Sequence, residues 1–294
     1  MTSILLTGKT GQLGRELQQA LAPLGTVTAP GRAQMDLTNP DQIRRAIRDH
    51  APDIIVNAAG YTTVDRAETE RELAHQVNAV APGIMAEEAR RINALLIHYS
   101  TDYVYDGANS APYAEDDAPN PVNYYGRSKL EGERAITAIA GAHLILRASW
   151  IYSAHGTNFV LTMLRLARER KEIFVVNDQV GSPSWARSLA ASSAQILTRI
   201  KDRSSAAGIY HLSAAGHATR FDFAKAIIAA AKPSSAPETA WAEIRPTTTA
   251  NYPLPAARPL NAATSKAKLE RDFGVEMPSW QEQLNAFMKS RPLL

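Results

Sequence analysis

The chain has 294 residues, enough for one large domain or two ordinary ones, and 45% hydrophobic with 21% charged residues describes a packed protein rather than a disordered one. It has no cysteine, which excludes a disulfide scaffold, a thiol nucleophile and a cysteine-based zinc site and fits a cytoplasmic setting. The net charge of +3 is scattered along the chain, so no nucleic-acid surface is expected, and a mild positive balance suits an anionic small substrate. The first apolar run, Ile4 to Leu6, has no basic region before it and is too short for a signal peptide. No window reaches the roughly 18 apolar residues that a membrane span needs.

Ser3 to Thr7 reads as a strand. A helical pattern follows from Gln12, with Leu13, Leu17, Ala20 and Leu21 on one face. Thr26 to Thr28 is the next strand, and Asn39-Pro40-Asp41 carries the cap and first-turn proline of a helix start. The apolar run Asp53 to Asn57 predicts a strand, Glu70 to Ile92 a long helix, and Leu95 to Ser100 and Leu144 to Arg147 two further strands. Strands alternating with helices predict an α/β fold: a Rossmann doubly wound parallel sheet with helices on both faces. Beyond Trp150 the pattern gives a helix over Asn158 to Glu169, a strand over Glu172 to Val176, a helix over Arg187 to Ile200, a strand over Ile209 to Leu212 and a helix over Phe221 to Ala231. Pro246 to Pro259 reads as irregular, and two short helices close the chain. The expected division is a nucleotide-binding domain over residues 1–150 and a smaller C-terminal α/β domain, mainly for substrate, over 151–294. No clean linker separates them, so segments around 173–207 are expected to cross back.

Gly8, Gly11 and Gly14 form G-x-x-G-x-x-G between the first strand and the first helix, where a dinucleotide site requires it. Such glycines let the backbone turn tightly against a pyrophosphate, and the helix behind them offers free N–H groups and a positive dipole end. With Gln12 and Leu13, they are the expected cofactor loop. The bland alternative is a tight strand-to-helix turn with no ligand. After the second strand comes Ala29-Pro30-Gly31-Arg32, with no acid before Asp36. An acid ending that strand would favour NAD, whereas Arg32 suits the 2′-phosphate of NADP, so NADPH is expected over NADH.

Tyr125-Gly126-Arg127-Ser128-Lys129 is Y-x-x-x-K, which places a phenol and an ammonium on one face of a helix, a turn apart. A phenol is protonated at neutral pH, and a nearby ammonium stabilises its anion and eases proton transfer. The segment Ser100 to Gly107 follows the strand ending near Tyr99, at the sheet edge where such folds bind ligands. Thr101 precedes Tyr125 by 24 positions, so that its hydroxyl can meet a substrate carbonyl beside the phenol.

The glycine spacing and the Thr101, Tyr125, Lys129 order resemble the extended short-chain dehydrogenase/reductases. Asn57-Ala58-Ala59-Gly60, expected to close a fourth strand, resembles that group's small-residue motif beside the cofactor. More narrowly, GKTGQLG, residues 57–68, HYSTDYVYDG, YYGRSKLEGE, RASWIY, NDQVGSP and YPLPAARP together resemble the dTDP-4-dehydrorhamnose reductases, over about Gly8 to Arg258. The resemblance implies reduction of the C4 ketone of dTDP-4-dehydro-L-rhamnose by NAD(P)H. It places Tyr125 as proton donor, Thr101 as orienter of the C4 oxygen and Lys129 on the nicotinamide ribose. Ala58, Ala59, Gly60 and Tyr99 would flank the cofactor, with Asp36 and Leu37 beside its adenine. Asp102 and Trp150 would meet the sugar, Val64, Asn177, Gln179 and Tyr252 would lie around the nucleotide-sugar, and Arg258 would pair with the pyrophosphate.

Some relatives dimerise around a metal held by glutamates. Glu16 matches one of these, but Arg187 and Ser188 stand in the helix that would supply the others, so no metal is expected and a homodimer stays open. Tyr61 lies near the expected cofactor with no assigned role. Related 4,6-dehydratases need T-D-E, where this chain has Tyr103. Epimerases keep their NAD and consume no reductant, and regulatory subunits such as the beta subunit of methionine adenosyltransferase often lose the Tyr or Lys that this chain retains.

Overall fold

The computed structural model describes residues 1–202, 206–232 and 241–290. The first half runs β1 (Thr2–Thr7), α1 (Gln12–Leu21), β2 (Gly25–Thr28), α2 (Pro40–His50), β3 (Ile54–Asn57), α3 (Arg71–His75), α4 (Ala81–Arg91), β4 (Leu95–Thr101), α5 (Tyr124–Ile139) and β5 (His143–Ala148). Then follow β6 (Ile151–Tyr152), α6 (Phe159–Glu169), β7 (Glu172–Val176), β8 (Val180–Gly181), β9 (Ser184–Trp185), α7 (Ala186–Arg199) and β10 (Ala207–His211). The described chain ends with β11 (Ala218–Thr219), α8 (Arg220–Ala231), β12 (Glu243–Thr247), α9 (Ala267–Phe273) and α10 (Trp280–Ser290).

Six strands form one sheet in the order β10-β5-β4-β3-β1-β2, and every pairing in it is parallel. Every residue of β3, β4 and β5 is buried, as a sheet covered on both faces demands. The strand order reverses at β1 and β3, so a crevice opens beyond their C-terminal ends, where this class of sheet binds ligands. The Asn57–Gly60 motif closes the third strand and not the fourth. The chain between β2 and α2 makes no strand, and α2 alone returns it to β3.

Local chemistry sets the element ends. Asn39 caps α2, its side-chain oxygen accepting from the N–H groups of Asp41 and Gln42, with Pro40 in the first turn. The helix expected over 70–92 contains a π-helical stretch, Gln76–Val80, between α3 and α4. There Asn78 points inward, accepting from Tyr61 N–H at 2.8 Å and donating to Ser128 Oγ at 3.0 Å. Part of the stretch expected to be irregular is strand: β12 runs to Thr247 and pairs only with β7, and such an edge position tolerates Pro246.

Among the described residues three large cores hold the molecule, one of them packing Leu5, Ile55, Leu96 and Ile145 of the main sheet against α2 and α4. A second packs the main sheet against α1 and α7 and also takes in Leu269, Val275 and Met277. The third gathers Tyr152, Val160, Ile173, Trp185, Phe223, Trp280 and Phe287 around α6, α8 and α10. α7 packs along α1, and β10 completes the main sheet beside β5. Among the described residues no helix is long and apolar enough to cross a membrane.

Candidate active site

The glycine loop follows β1 directly. Gly8 has φ +77°, and a Cβ there would lie 2.8 Å from the backbone of Ala58 and Ala59. A Cβ on Gly14 would lie 2.0 Å from the Gly8 carbonyl oxygen. Loop, helix and β3 end therefore approach more closely than any side chain permits, and the first N–H groups of α1 are left facing the crevice. Two adjoining cavities share Gly8, Thr10, Ala59 and Gly60.

The first cavity, about 410 Å³, is lined by Arg32, Asp36, Leu37, Ala59, Gly60 and Tyr61 among others. Asp36 pairs with Arg32 at 3.1 Å and accepts from Thr38 N–H at 2.9 Å, and the Thr38 backbone bond is the main reason its carboxyl titrates below the usual range. Arg32 itself is 79% exposed at the rim. Lys9, given no role by the sequence, lines the same cavity, and a side chain at position 31 would meet its Nζ at 3.7 Å. Tyr61 donates to Glu70 at 2.6 Å along the opposite wall.

The second cavity, about 740 Å³, brings together Gly11, Gln12, Leu13, Ala58, Val64, Tyr99, Thr101, Asp102, Tyr125, Lys129 and Trp150. Asn123 caps α5 by accepting from Gly126 N–H at 2.8 Å, which sets Tyr125 in the first turn and Lys129 one turn on. A Cβ on Gly126 would lie 2.1 Å from the Tyr103 carbonyl oxygen, so glycine there lets α5 press against the end of β4. Tyr125 is hydrogen-bonded to Thr101, and burial pushes its phenol well above the ordinary range. Burial draws the Lys129 ammonium down to about 8, and Nζ donates to the Tyr99 carbonyl at 2.7 Å. Thr101 donates to Asp102 at 3.1 Å, and Ser149 donates to the other carboxyl oxygen at 2.6 Å. Burial nevertheless raises the Asp102 carboxyl to about 6. Behind the site, Arg147 and Glu133 form a fully buried pair at 2.6 Å that ties α5 to β5.

Trp150 holds an unusual backbone, φ 41°, which a non-glycine residue adopts only where its surroundings impose it. The guanidinium of Arg220 lies over the Trp150 ring, hydrogen-bonds Tyr103 and lines the cavity. Arg220 gave no signal in the sequence, because nothing local connects the start of α8 to the end of β5.

Five expected residues, Gly14, Asn177, Gln179, Tyr252 and Arg258, line neither cavity. Arg258 is engaged by Asp65 in a two-pronged pair at 2.9 and 2.8 Å. Gln179 is buried and donates to Thr249 at 3.0 Å, Asn177 joins the β12 end through its N–H, and Tyr252 is 54% exposed. Gly14 lies beneath the loop. Glu16 accepts from Arg187 at 3.0 Å, so a guanidinium answers the carboxylate considered for a metal.

The family model described as RmlD substrate binding domain matches residues 1–292. The chain is 45% identical over 284 residues to a dTDP-4-dehydrorhamnose reductase of Burkholderia thailandensis, covering 95% of each. It is 43% identical to the Escherichia coli enzyme of that name, covering 95% of this chain and 94% of the relative. The crystal structure of dTDP-4-dehydrorhamnose reductase from Bacillus anthracis in complex with NADP superposes with TM-score 0.91 at 35% identity, covering 99% of this chain and 100% of the other.

Proposed function

We propose, from the premise that this chain belongs to the RmlD substrate binding domain family, that it reduces dTDP-4-dehydro-L-rhamnose to dTDP-L-rhamnose with NADPH. One observation carries the reading: Thr101, Tyr125 and Lys129 meet in a single cavity that opens onto the glycine loop.

The residues present fit the cofactor. The close approach at Gly8 and Gly14 leaves room for a pyrophosphate over bare backbone, and the first cavity, with Lys9 and Arg32, suits a 2′-phosphorylated adenosine. When bound, NADPH supplies hydride to C4 of the sugar. Gly8, Gly11, Gln12, Leu13 and Ala58–Gly60 would hold its phosphates and ribose, Leu37 and Asp36 would flank the adenine, and Lys129 and Tyr99 would lie on the nicotinamide side.

The chain's own residues then manage one proton. Thr101 fixes the C4 oxygen beside Tyr125, whose hydroxyl gives its proton to that oxygen as the carbonyl becomes an alcohol. The Lys129 ammonium stabilises the phenolate that remains. Trp150 and Val64 shape the sugar pocket, and Asp102 is its buried acceptor. Arg220, inside the cavity, is the partner for the substrate's diphosphate, while Arg258 braces the loop around Asp65. The cores around the main sheet serve the cofactor, and the core around α6, α8 and α10 carries the sugar side.

The third position of T-D-Y is filled by Tyr103, packed edge-to-face on Tyr125 at 5.8 Å, so a dehydratase's acid is missing. The test is NADPH oxidation with dTDP-4-dehydro-L-rhamnose. One NADPH consumed per sugar reduced is the expected result, and turnover without net oxidation would replace this reading with epimerase chemistry.

A further inference from the structure

Asn57 at the end of β3 and His98 in β4 are register partners, and beneath the cleft they join Thr7 to Lys129 in a buried line of side chains. Asn57 Oδ1 accepts from Thr7 Oγ1 at 2.6 Å and from the backbone N–H of Ala59 at 3.3 Å. A backbone N–H only donates, and that of Ala59, shared between this oxygen and Thr7 Oγ1 at 3.3 Å each, favours the amide oxygen on its side, which leaves the NH₂ as the end that lies 3.0 Å from His98 Nδ1. An amide NH₂ also only donates. His98 Nδ1 therefore carries a lone pair, and the neutral ring holds its proton on Nε2. That nitrogen lies 3.2 Å from Lys129 Nζ.

Lys129 thus meets one acceptor, the Tyr99 carbonyl, and one donor, the His98 Nε2–H. An amine matches both, accepting with its lone pair and donating to the carbonyl. An ammonium has no lone pair and opposes the imidazole N–H. Matching it would require His98 to move its proton to Nδ1 and Asn57 to turn over, which takes Oδ1 from Ala59. The other groups that bear on Nζ are Glu133 on α5 and the uncharged backbone at Gly60, with Tyr125 lining the same cavity. Glu133 favours the ammonium but is already committed to Arg147 and Ser100. The second nitrogen of His98 is what remains to oppose it.

We propose that His98, locked in one tautomer by Asn57, is a positioning residue that holds Lys129 in place and weakens its grip on a proton. The inference rests on the role given to Lys129 above, but its test does not. The experiment follows the Lys129 Nζ resonance against pH in ¹⁵N-lysine-labelled full-length protein, assigned with Lys129→Arg, for wild type, His98→Phe and His98→Gln. The pH profile of kcat is recorded for the same proteins. With the opposing N–H removed, the Lys129 midpoint should rise by about one pH unit, a tenfold gain in proton affinity, and the alkaline limb of kcat should rise with it. Gln tests the same point with a polar side chain should Phe disturb folding, since its carbonyl can turn to the ammonium. A midpoint that stays or falls in the folded variants overturns the inference, because a His98 that accepted from the ammonium would lower the midpoint on removal. A midpoint that rises while the kcat limb stays supports His98 and refutes the catalytic role of Lys129 instead.

Discussion

The guanidinium carbon of Arg220 lies 3.5 Å from the centre of the Trp150 ring, so a cation from α8 and an aromatic just after β5 form one wall of the second cavity. Among the described residues the arginine has no two-pronged carboxylate partner. Asp102 nearby is already occupied by Ser149 and Thr101, whereas Arg258 is fully engaged by Asp65. A cation so placed is available to an anionic ligand. Arg220→Ala is expected to raise KM for the nucleotide-sugar by roughly tenfold to a hundredfold, the worth of a charge-assisted hydrogen bond, with a smaller change in kcat. An unchanged KM would remove Arg220 from the diphosphate.

Tyr125 is half-buried at the cavity, and its hydroxyl is hydrogen-bonded to Thr101. Tyr125→Phe keeps the ring and its packing on Tyr103 but leaves no proton to give. The expected outcome is a loss in kcat of about a hundredfold or more at a nearly constant KM, read in the NADPH oxidation assay. A melting temperature within a few degrees of wild type would show that the loss is chemical rather than structural.

What the sequence revealed was local. The glycine loop, the Asn39 cap and the Tyr125/Lys129 spacing are each written within a few consecutive residues, and one turn of helix or one strand-to-helix junction suffices to read them. The Asn57–Gly60 motif sits one strand earlier than its spacing from the glycine loop suggests, because residues 29–39 carry no strand. Lys9, Arg220 and His98 carry no role that a local pattern reveals, although GKTGQLG contains Lys9 and HYSTDYVYDG contains His98. Each lies beside a neighbour far away in sequence: Gly31, Trp150 and Lys129 respectively. Arg258 draws attention as an arginine in a proline-rich loop, but a carboxylate 193 positions earlier binds it, and no periodicity reports such a pairing.

Cofactor choice tests the first cavity. Lys9 and Arg32 are cations that line it, Asp36 spends its carboxylate on Arg32 and Thr38, and the other acid of the lining, Glu70, is engaged by Tyr61 and Arg66. A 2′-phosphate would gain from both cations, whereas the 2′-hydroxyl of NADH would not. The double change Lys9→Ala, Arg32→Ala is expected to raise KM for NADPH by about tenfold or more and leave KM for NADH within about twofold. Because Arg32 is exposed, the effect should shrink as salt is added. Equal losses with both cofactors would place these side chains on the shared pyrophosphate instead.

Asp102 links the chemistry to stability. Burial raises its folded-state pKa to about 6 against an ordinary 3.8, so the ionised carboxylate is disfavoured in the folded protein. For a group whose pKa rises on folding, no penalty exists below the unfolded value. The penalty grows as pH rises from about 4 to about 6 and is constant above that. At neutral pH it amounts to about 3 kcal/mol as an upper figure. Asp102→Asn removes the charge while retaining an acceptor for Ser149 or Thr101. It should therefore melt several degrees above wild type at pH 7, with the gap closing toward pH 4, while turnover falls because the sugar loses its buried acceptor. Melting curves at pH 4, 5, 6 and 7 check the sign. A gap that widens toward acid would mean that the native fold prefers the ionised carboxylate, held there by Ser149 and Arg220.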